Sequence, residues 1–434
     1  MPFRDSFMLI LRRGTYEAKP FRSRGPRPLV VSRRSICLSH SARAVRGVLG
    51  LVRGGLEGIE SYSKTSERGQ IYHPRFLAMP KKTHTSSTPS ASGKDKKPAE
   101  LRPSSSVILL SPENQVLLLH RVKTSSAFPS AHVFPGGNLS DFHDGVVPGP
   151  SDVKRHEDSL PYRLAAIRET FEESGILLAR ENGKDGKPLN IPVAERDNAR
   201  KVIYENKIPF VEWLSSVGGV PDIENLIPFT RWVTPFTQAR RFTTQMYLYM
   251  LPLSAGSDPV VAAAQSEAMV PTPDGGVEIT AARFDDATTW SEKQRRGEII
   301  LFPPQCFLLH LLSQFLVGRP GDYGVQRERL REFLATVPTA SEPRAVTHPT
   351  AQIPWEEKVI SPTSLGLRKS DNRVILGLDK PGPELKGTYR GGDMERVVLV
   401  RFSKGIAKDV EVRSREEVLA EERQAERTAH EAKL

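Results

Sequence analysis

The sequence holds 434 residues, with 62 Lys plus Arg against 51 Asp plus Glu and a formal charge of +11. That length supports a sizeable buried core, and the 38% apolar content fits a soluble globular fold with added disordered length. No apolar run approaches a membrane-spanning helix, and two cysteines, Cys37 and Cys306, exclude a disulfide framework or a thiolate metal cluster, so a reducing compartment is the default.

The excess charge is confined to one end. Residues 1–104 carry 21 Lys plus Arg against 7 acids, a net +14, and the rest carries 41 against 44, a net −3. The basic stretch is rich in Arg, Ser, Pro and Gly without a period of 2 or 3.6, which predicts a disordered segment. Three readings of it stay open. Its Arg-rich, acid-poor first sixty residues fit a mitochondrial transit peptide, Met79 opens an alternative start, and a solvated basic arm would bind polyanions weakly.

From Ser105 the texture changes. S-V-I-L-L-S-P-E-N-Q-V-L-L-L-H-R predicts strand, turn and strand, and His132 to Phe134 is extended up to Pro135-Gly136-Gly137. A polar loop over Asn138 to Pro161 precedes a helix over Tyr162 to Leu178, with Leu164, Ile167, Phe171 and Ser174 on one face. Helical texture follows over Glu195 to Val217. Strands are predicted at Trp232 to Pro235, Thr243 to Leu253 and Val277 to Phe284, and an apolar helix runs from Pro303 to Leu316. Val374 to Leu378 and Val397 to Phe402 read as further strands, and Glu416 to Lys433 as a charged helix with too few apolar residues for a core. Alternating strands and helices predict an α/β sandwich with domain limits at 105–338, an extension of strands over 339–413 and a charged tail over 414–434.

The chemistry concentrates in F-P-G-G at 134–137 and R-E-T-F-E-E-S-G-I at 168–176. On a helix, Glu169 lies three residues before Glu172 and four before Glu173, so three carboxylates converge and repel unless a cation joins them. Oxygen donors without His or Cys select Mg²⁺ or Mn²⁺, which recruit phosphate oxygens from substrates. Gly136 lets the backbone approach closely and offers a carbonyl as a neutral ligand.

These motifs resemble the signature of the Nudix hydrolases, G-x5-E-x7-R-E-U-x-E-E-x-G-U with U aliphatic. Arg168, Glu169, Glu172, Glu173, Gly175 and Ile176 match, and Thr170 fits the first aliphatic position weakly. Gly137 stands 31 residues before Arg168 where the family places its glycine fourteen before, so seventeen residues interrupt the box. The family's first glutamate has no unambiguous counterpart; Glu157 and Asp158 are candidates. An interrupted box resembles the peroxisomal coenzyme A diphosphatase subgroup, as do W-V-T-P with R-R-F-T-T-Q-M-Y-L, G-E-I-I-L-F-P-P-Q and L-D-K-P-G-P-E downstream.

The resemblance implies a Nudix-type α/β/α sandwich with a mixed sheet. It also implies Mg²⁺ or Mn²⁺ held by Glu169, Glu172, Glu173 and the Gly136 carbonyl, with Glu169 as a further ligand or base and Arg168 positioning the glutamates. The implied reaction splits coenzyme A and its esters into adenosine 3′,5′-bisphosphate and (acyl-)4′-phosphopantetheine. NADH, ADP-ribose or a non-catalytic role with the basic arm on nucleic acid are the alternatives. Arg240 and Arg241 are candidate substrate-phosphate contacts, and Glu278 a candidate distal ligand or base. His120, His143 and His310 show no ligand spacing, and Phe307 to Leu316 reads as core or as the border of an acyl pocket. Ala432-Lys433-Leu434 resembles the peroxisomal address read by an import receptor, against the mitochondrial reading of the other end. No specific nucleic-acid partner and no membrane span are expected.

Overall fold

The computed structural model describes residues 99–125, 128–183, 186–253, 270–317 and 322–432. The readings placed on residues 1–98, and on Lys433 and Leu434, lie outside the described residues. In chain order the strands are β1 (Leu101–Leu110), β2 (Val116–Arg121), β3 (His132–Val133), β4 (Gly136–Asn138), β5 (Ala179–Glu181), β6 (Gly219–Pro221) and β7 (Ile227–Val233). They continue as β8 (Arg241–Met250), β9 (Ile279–Asp285), β10 (Val359–Ile360), β11 (Thr363–Leu367), β12 (Val374–Leu378), β13 (Asp393–Ser403) and β14 (Ile406–Ser414). The helices are α1 (Leu160–Ser174), α2 (Val193–Tyr204), α3 (Phe210–Ser216), α4 (Ala287–Arg295), α5 (Pro303–Leu312), α6 (Tyr323–Ala335), α7 (Pro343–Val346) and α8 (Arg415–Glu431).

β1 dictates the layers. Successive side chains of a strand face opposite ways, and Val107, Ile108, Leu109 and Leu110 are all fully buried, so both faces of the sheet must be covered. The sheet runs β10-β7-β8-β1-β2-β3, with β4 also on β1 and β9 also on β2. β1 pairs with β8 in parallel from Leu101↔Arg241 to Leu110↔Met250, while β2, β4 and β7 join antiparallel, giving a mixed sheet. Val107 and Leu109 pack with Tyr162, Ile167 and Phe171 of α1 and with residues of α2 and α3. Ile108 and Leu110 pack on the other side with Phe307 and Leu311 of α5, with Trp355, and with Leu376 and Val398 from a second sheet. The expected α/β/α sandwich is present, with one outer layer part helix and part sheet.

α1 ends at Ser174 where the sequence predicts Leu178, the stretch from Glu195 to Val217 is two helices, and three further boundaries differ in ways that bear on the layers. Among the described residues the first strand begins at Leu101, inside the segment expected to be disordered; the polar Ser104, Ser105 and Ser106 are buried, and Thr244 and the carbonyls of Tyr162 and Pro135 satisfy their hydroxyls. Within the 339–413 extension, β10 belongs to the main sheet beside β7, and only β11-β12-β13-β14 form the separate antiparallel sheet, which runs on to Ser414. The charged end helix is docked: Val418 is buried with Ile375, Val397 and Leu399 on that second sheet. Phe307, Leu308, Leu309, Leu311 and Leu312 are core, with Phe307 against Trp232 and Trp355.

Candidate active site at the C-terminal half of α1

α1 is set at both ends. Pro161 fills the first turn, where its missing N–H has no helical partner to lose. Gly175, at φ 73°, turns into the left-handed region and donates its N–H to the Phe171 carbonyl. From α2, Arg200 donates to the Glu172 carbonyl at 2.7 and 3.0 Å and Arg196 reaches the Gly175 carbonyl, placing cations at the negative end of the helix dipole. Thr170, weak as an aliphatic, is fully buried and hides its hydroxyl on the Ala166 carbonyl.

Arg168 organises the acids. Buried to 4% exposure, it donates Nη1 to Glu169 Oε1 at 2.8 Å and to Glu172 Oε1 at 2.9 Å. On its other side Nε and Nη2 form a two-pronged pair with Asp144, both bonds 2.9 Å, and Nη2 also reaches the Asn138 carbonyl. Glu173 turns toward the sheet, where Oε2 accepts the Gly136 N–H at 2.8 Å and Oε1 lies 3.7 Å from Arg121. Arg121 also pairs with Glu278 at 3.0 Å, which brings Glu278 to the same cluster. The two glycines are spatial requirements. A Cβ on Gly136 would meet the Ser105 carbonyl at 2.3 Å, and one on Gly137 would meet the Glu169 carboxyl carbon at 2.4 Å.

Burial is the main force on these carboxyls. It raises Glu169 to about 7, with Arg168 pulling down and Glu172 pushing up. Burial and then the charge of Glu169 hold Glu173 well above the carboxylate range, and Glu172 is also raised by burial. Burial opposes the charge of Arg168, yet the surrounding carboxylates raise its pKa well above the ordinary value. Two arginines therefore leave these acids under-neutralised, and deprotonating all of them calls for further positive charge. Among the described residues no three acidic, His or Cys side chains are already gathered into a metal-holding group; the glutamates face Arg168, Arg121 and Gly136 instead. The donor set, carboxylate oxygens short of positive charge, fits a hard divalent cation held by Glu169, Glu172 and Glu173.

Sequence reasoning missed Asp144, Arg121 and Arg200. Asp144 sits in the interrupting loop and pairs with Arg168, whereas Glu157 and Asp158, the candidates for the family's first glutamate, do not join the cluster. Those two are engaged elsewhere: Asp158 accepts from Tyr247 and Arg163, and Glu157 lines a cavity beyond the start of α1. His143, next to Asp144, anchors the loop by accepting the Phe210 N–H on Nδ1 and meeting Asn206 through Nε2. His120 and His310 face Thr280 and Gln314. Gly136 meets the glutamates through its N–H, donated to Glu173.

Arg240 and Arg241 are not brought to this site. Arg241 opens β8 in register with Leu101, whereas Gly136 pairs with Ser106, five positions and about 17 Å further along the strands. It is 2% exposed and bonded to Glu384, the Thr234 carbonyl and the Ala99 carbonyl, so it closes the sheet end; Arg240 is exposed beside it. A strand end looks solvated in sequence, but here the covering segment comes from 142 residues earlier in the chain and from Glu384.

With this geometry in hand, comparison gives a consistent family. Residues 150–312 match the family model described as the NUDT19 Nudix domain. The chain is 30% identical over 247 residues to the acyl-coenzyme A diphosphatase NUDT19 of Gallus gallus, covering 46% of this chain and 61% of the relative. It is 28% identical over 244 residues to the protein of the same name from Xenopus laevis, covering 46% and 60%. The chain thus spans about three fifths of the length of these curated relatives. Among solved structures, a NUDIX hydrolase from Alicyclobacillus acidocaldarius aligns with 52% of this chain and 96% of its own, at 23% identity and a TM-score of 0.39. Residues 150–312 are thus similar to a Nudix domain, and the relatives that the chain matches are acyl-coenzyme A diphosphatases.

Proposed function

We propose that this Nudix domain hydrolyses the diphosphate of coenzyme A and its acyl esters, giving adenosine 3′,5′-bisphosphate and (acyl-)4′-phosphopantetheine, with Mg²⁺ or Mn²⁺ as cofactor. The observation that carries the reaction type is the cluster of Glu169, Glu172 and Glu173 around Arg168, short of positive charge and backed by Gly136 and Gly137. The substrate class rests on the acyl-coenzyme A diphosphatase relatives.

A bound divalent cation supplies charge for the diphosphate oxygens and acidifies water. The chain's own residues do the positioning. Arg168 fixes Glu169 and Glu172, itself held by Asp144. The Gly136 N–H fixes Glu173. Burial raises Glu169 in the metal-free chain, and beside Glu172 and Glu173 it is the candidate to accept a proton from water. A water oxygen bonds to one phosphorus, the bridging P–O bond on that phosphorus breaks, and the leaving phosphate keeps the bridging oxygen.

The test is incubation of the full chain with coenzyme A and Mg²⁺, followed by chromatography for the 3′,5′-bisphosphate. Product that disappears with EDTA is expected, and its absence overturns the reading. Preferred turnover of NADH or ADP-ribose in a substrate panel would keep the chemistry and replace the substrate.

A further inference from the structure

A cavity of about 320 Å³ lies at the opposite end of α1 from the glutamates. Leu160 and Glu172 are about 18 Å apart along the helix axis, so the two sites are separate. The deepest residues lining the cavity are Arg231, Gln245 and Lys358, which are 2%, 3% and 1% exposed.

Arg231 is the unusual member. Its guanidinium lies 4.5 Å over the Tyr162 ring, and Nη1 donates to the Arg155 carbonyl and Thr243 Oγ1. Nη2 is shielded and has no hydrogen-bond partner among the described residues. The neighbouring Arg155 and Arg241 pair with Glu100 and Glu384, but Arg231 makes no ion pair among the described residues. A buried cation without a counter-charge is expensive, and the aromatic face offsets only part of that cost. Lys358 adds a second buried cation; it gives two N–H groups to the Thr350 and Gly392 carbonyls and lies 5.1 Å over the Trp355 ring. Half-buried Arg390, over Tyr389, lines the cavity nearer to solvent.

We propose that this cavity is an anion site that takes a single tetrahedral oxyanion, a phosphoryl or sulfuryl group on a small molecule, with Arg231 as its charge partner. The volume sits at the low end of small-molecule pockets, sufficient for the oxyanion and part of the body carrying it. The acids lining the cavity narrow the class. Of the four, Glu157 and Glu356 are exposed, Asp158 accepts from Tyr247 and Arg163, and Glu357 pairs with Arg390 at 3.6 Å. They disfavour a polyanion, so the ligand carries one oxyanion on a neutral or cationic body, unlike a diphosphate nucleotide. The site joins the segment before α1, β7, β8 and the segment around Lys358, so occupancy stabilises the fold.

The experiment is calorimetric titration of the full chain with inorganic phosphate in EDTA, where the glutamate cluster repels anions. One equivalent is expected to bind, with sulfate similar and acetate weaker. Arg231→Gln is expected to weaken binding roughly ten-fold or more, and Arg390→Ala about three-fold. Glu173→Gln should bind phosphate as the parent does. No binding by the parent, or parent-level binding in Arg231→Gln, overturns the proposal. Should Arg231→Gln not fold, the nearly isosteric Gln245→Glu places a negative charge among the deepest lining residues; retained binding there overturns the proposal equally. None of these readouts depends on turnover, so failure of the coenzyme A reading leaves this test intact.

Discussion

The two ends of α1 carry opposite surpluses. At the C-terminal half, Glu169, Glu172, Glu173, Glu278 and Asp144 share Arg168 and Arg121. Around the N-terminal end, Arg155, Arg231 and Arg241 are all buried while only Glu100 and Glu384 pair with them. A folded chain tolerates buried imbalance of either sign only at a cost in stability, so each surplus describes what is to be added. One end is short of a cation and the other short of an anion.

The sharpest way to break this contrast is Glu173→Gln, which removes the carboxylate held by the Gly136 N–H. Turnover of coenzyme A should fall on the order of a thousand-fold with the circular-dichroism spectrum unchanged. Parent-level turnover would show that the cation belongs elsewhere. Gly137→Ala should come next. Its methyl group displaces the Glu169 carboxyl, and misplacement of about 1 Å costs roughly a hundred-fold in kcat. Asp144→Ala removes the two-pronged partner of buried Arg168, leaving Glu169, Glu172 and the Asn138 carbonyl, and should cost about 3 kcal/mol in denaturant unfolding. A loss under about 0.5 kcal/mol would mean that the loop merely covers the site.

The smallest effect is a pH dependence that the two ends do not share. Burial raises Glu169 from 4.5 to about 7, so the folded chain holds a proton that the unfolded chain has released. That contribution to stability is present below about 4.5, declines as pH rises through this window, and is lost above about 7. Without divalent metal the thermal midpoint of the parent should therefore lose a few degrees relative to Glu169→Gln across this range, on top of the opposite trend from buried His132 and His156, both held to about 4, and added Mg²⁺ should reduce that difference. An identical fall in Glu169→Gln would assign the effect to another group.

What could be read from the sequence was local. The i, i+3, i+4 spacing placed the glutamates together, and periodicity placed α1 and β12, because both depend only on neighbours in the chain. Asp144 was hidden because it stands 24 residues from Arg168 in a loop without period, and only tertiary folding aligns its two oxygens with the guanidinium. Arg121 was hidden at the end of β2, whose other residues read as a plain apolar strand. The error at Arg241 and the late domain boundary have one cause. The polar stretch Arg102 to Ser106 did not resemble a strand, so nothing indicated that it would cover the start of β8.

That β1–β8 pairing also sets a schedule for biosynthesis. Ser104 bonds Thr244 across 140 residues of chain, and β1 has no parallel partner until β8 has been made. At about 5–20 residues per second, β1 waits roughly 7–28 s with one long edge open. Its apolar Val107 to Leu110 is complete and exposed to neighbours throughout that interval. The hairpin with β2 can form at once and shield the other edge, so the interval of aggregation risk in synthesis ends when Met250 leaves the ribosome.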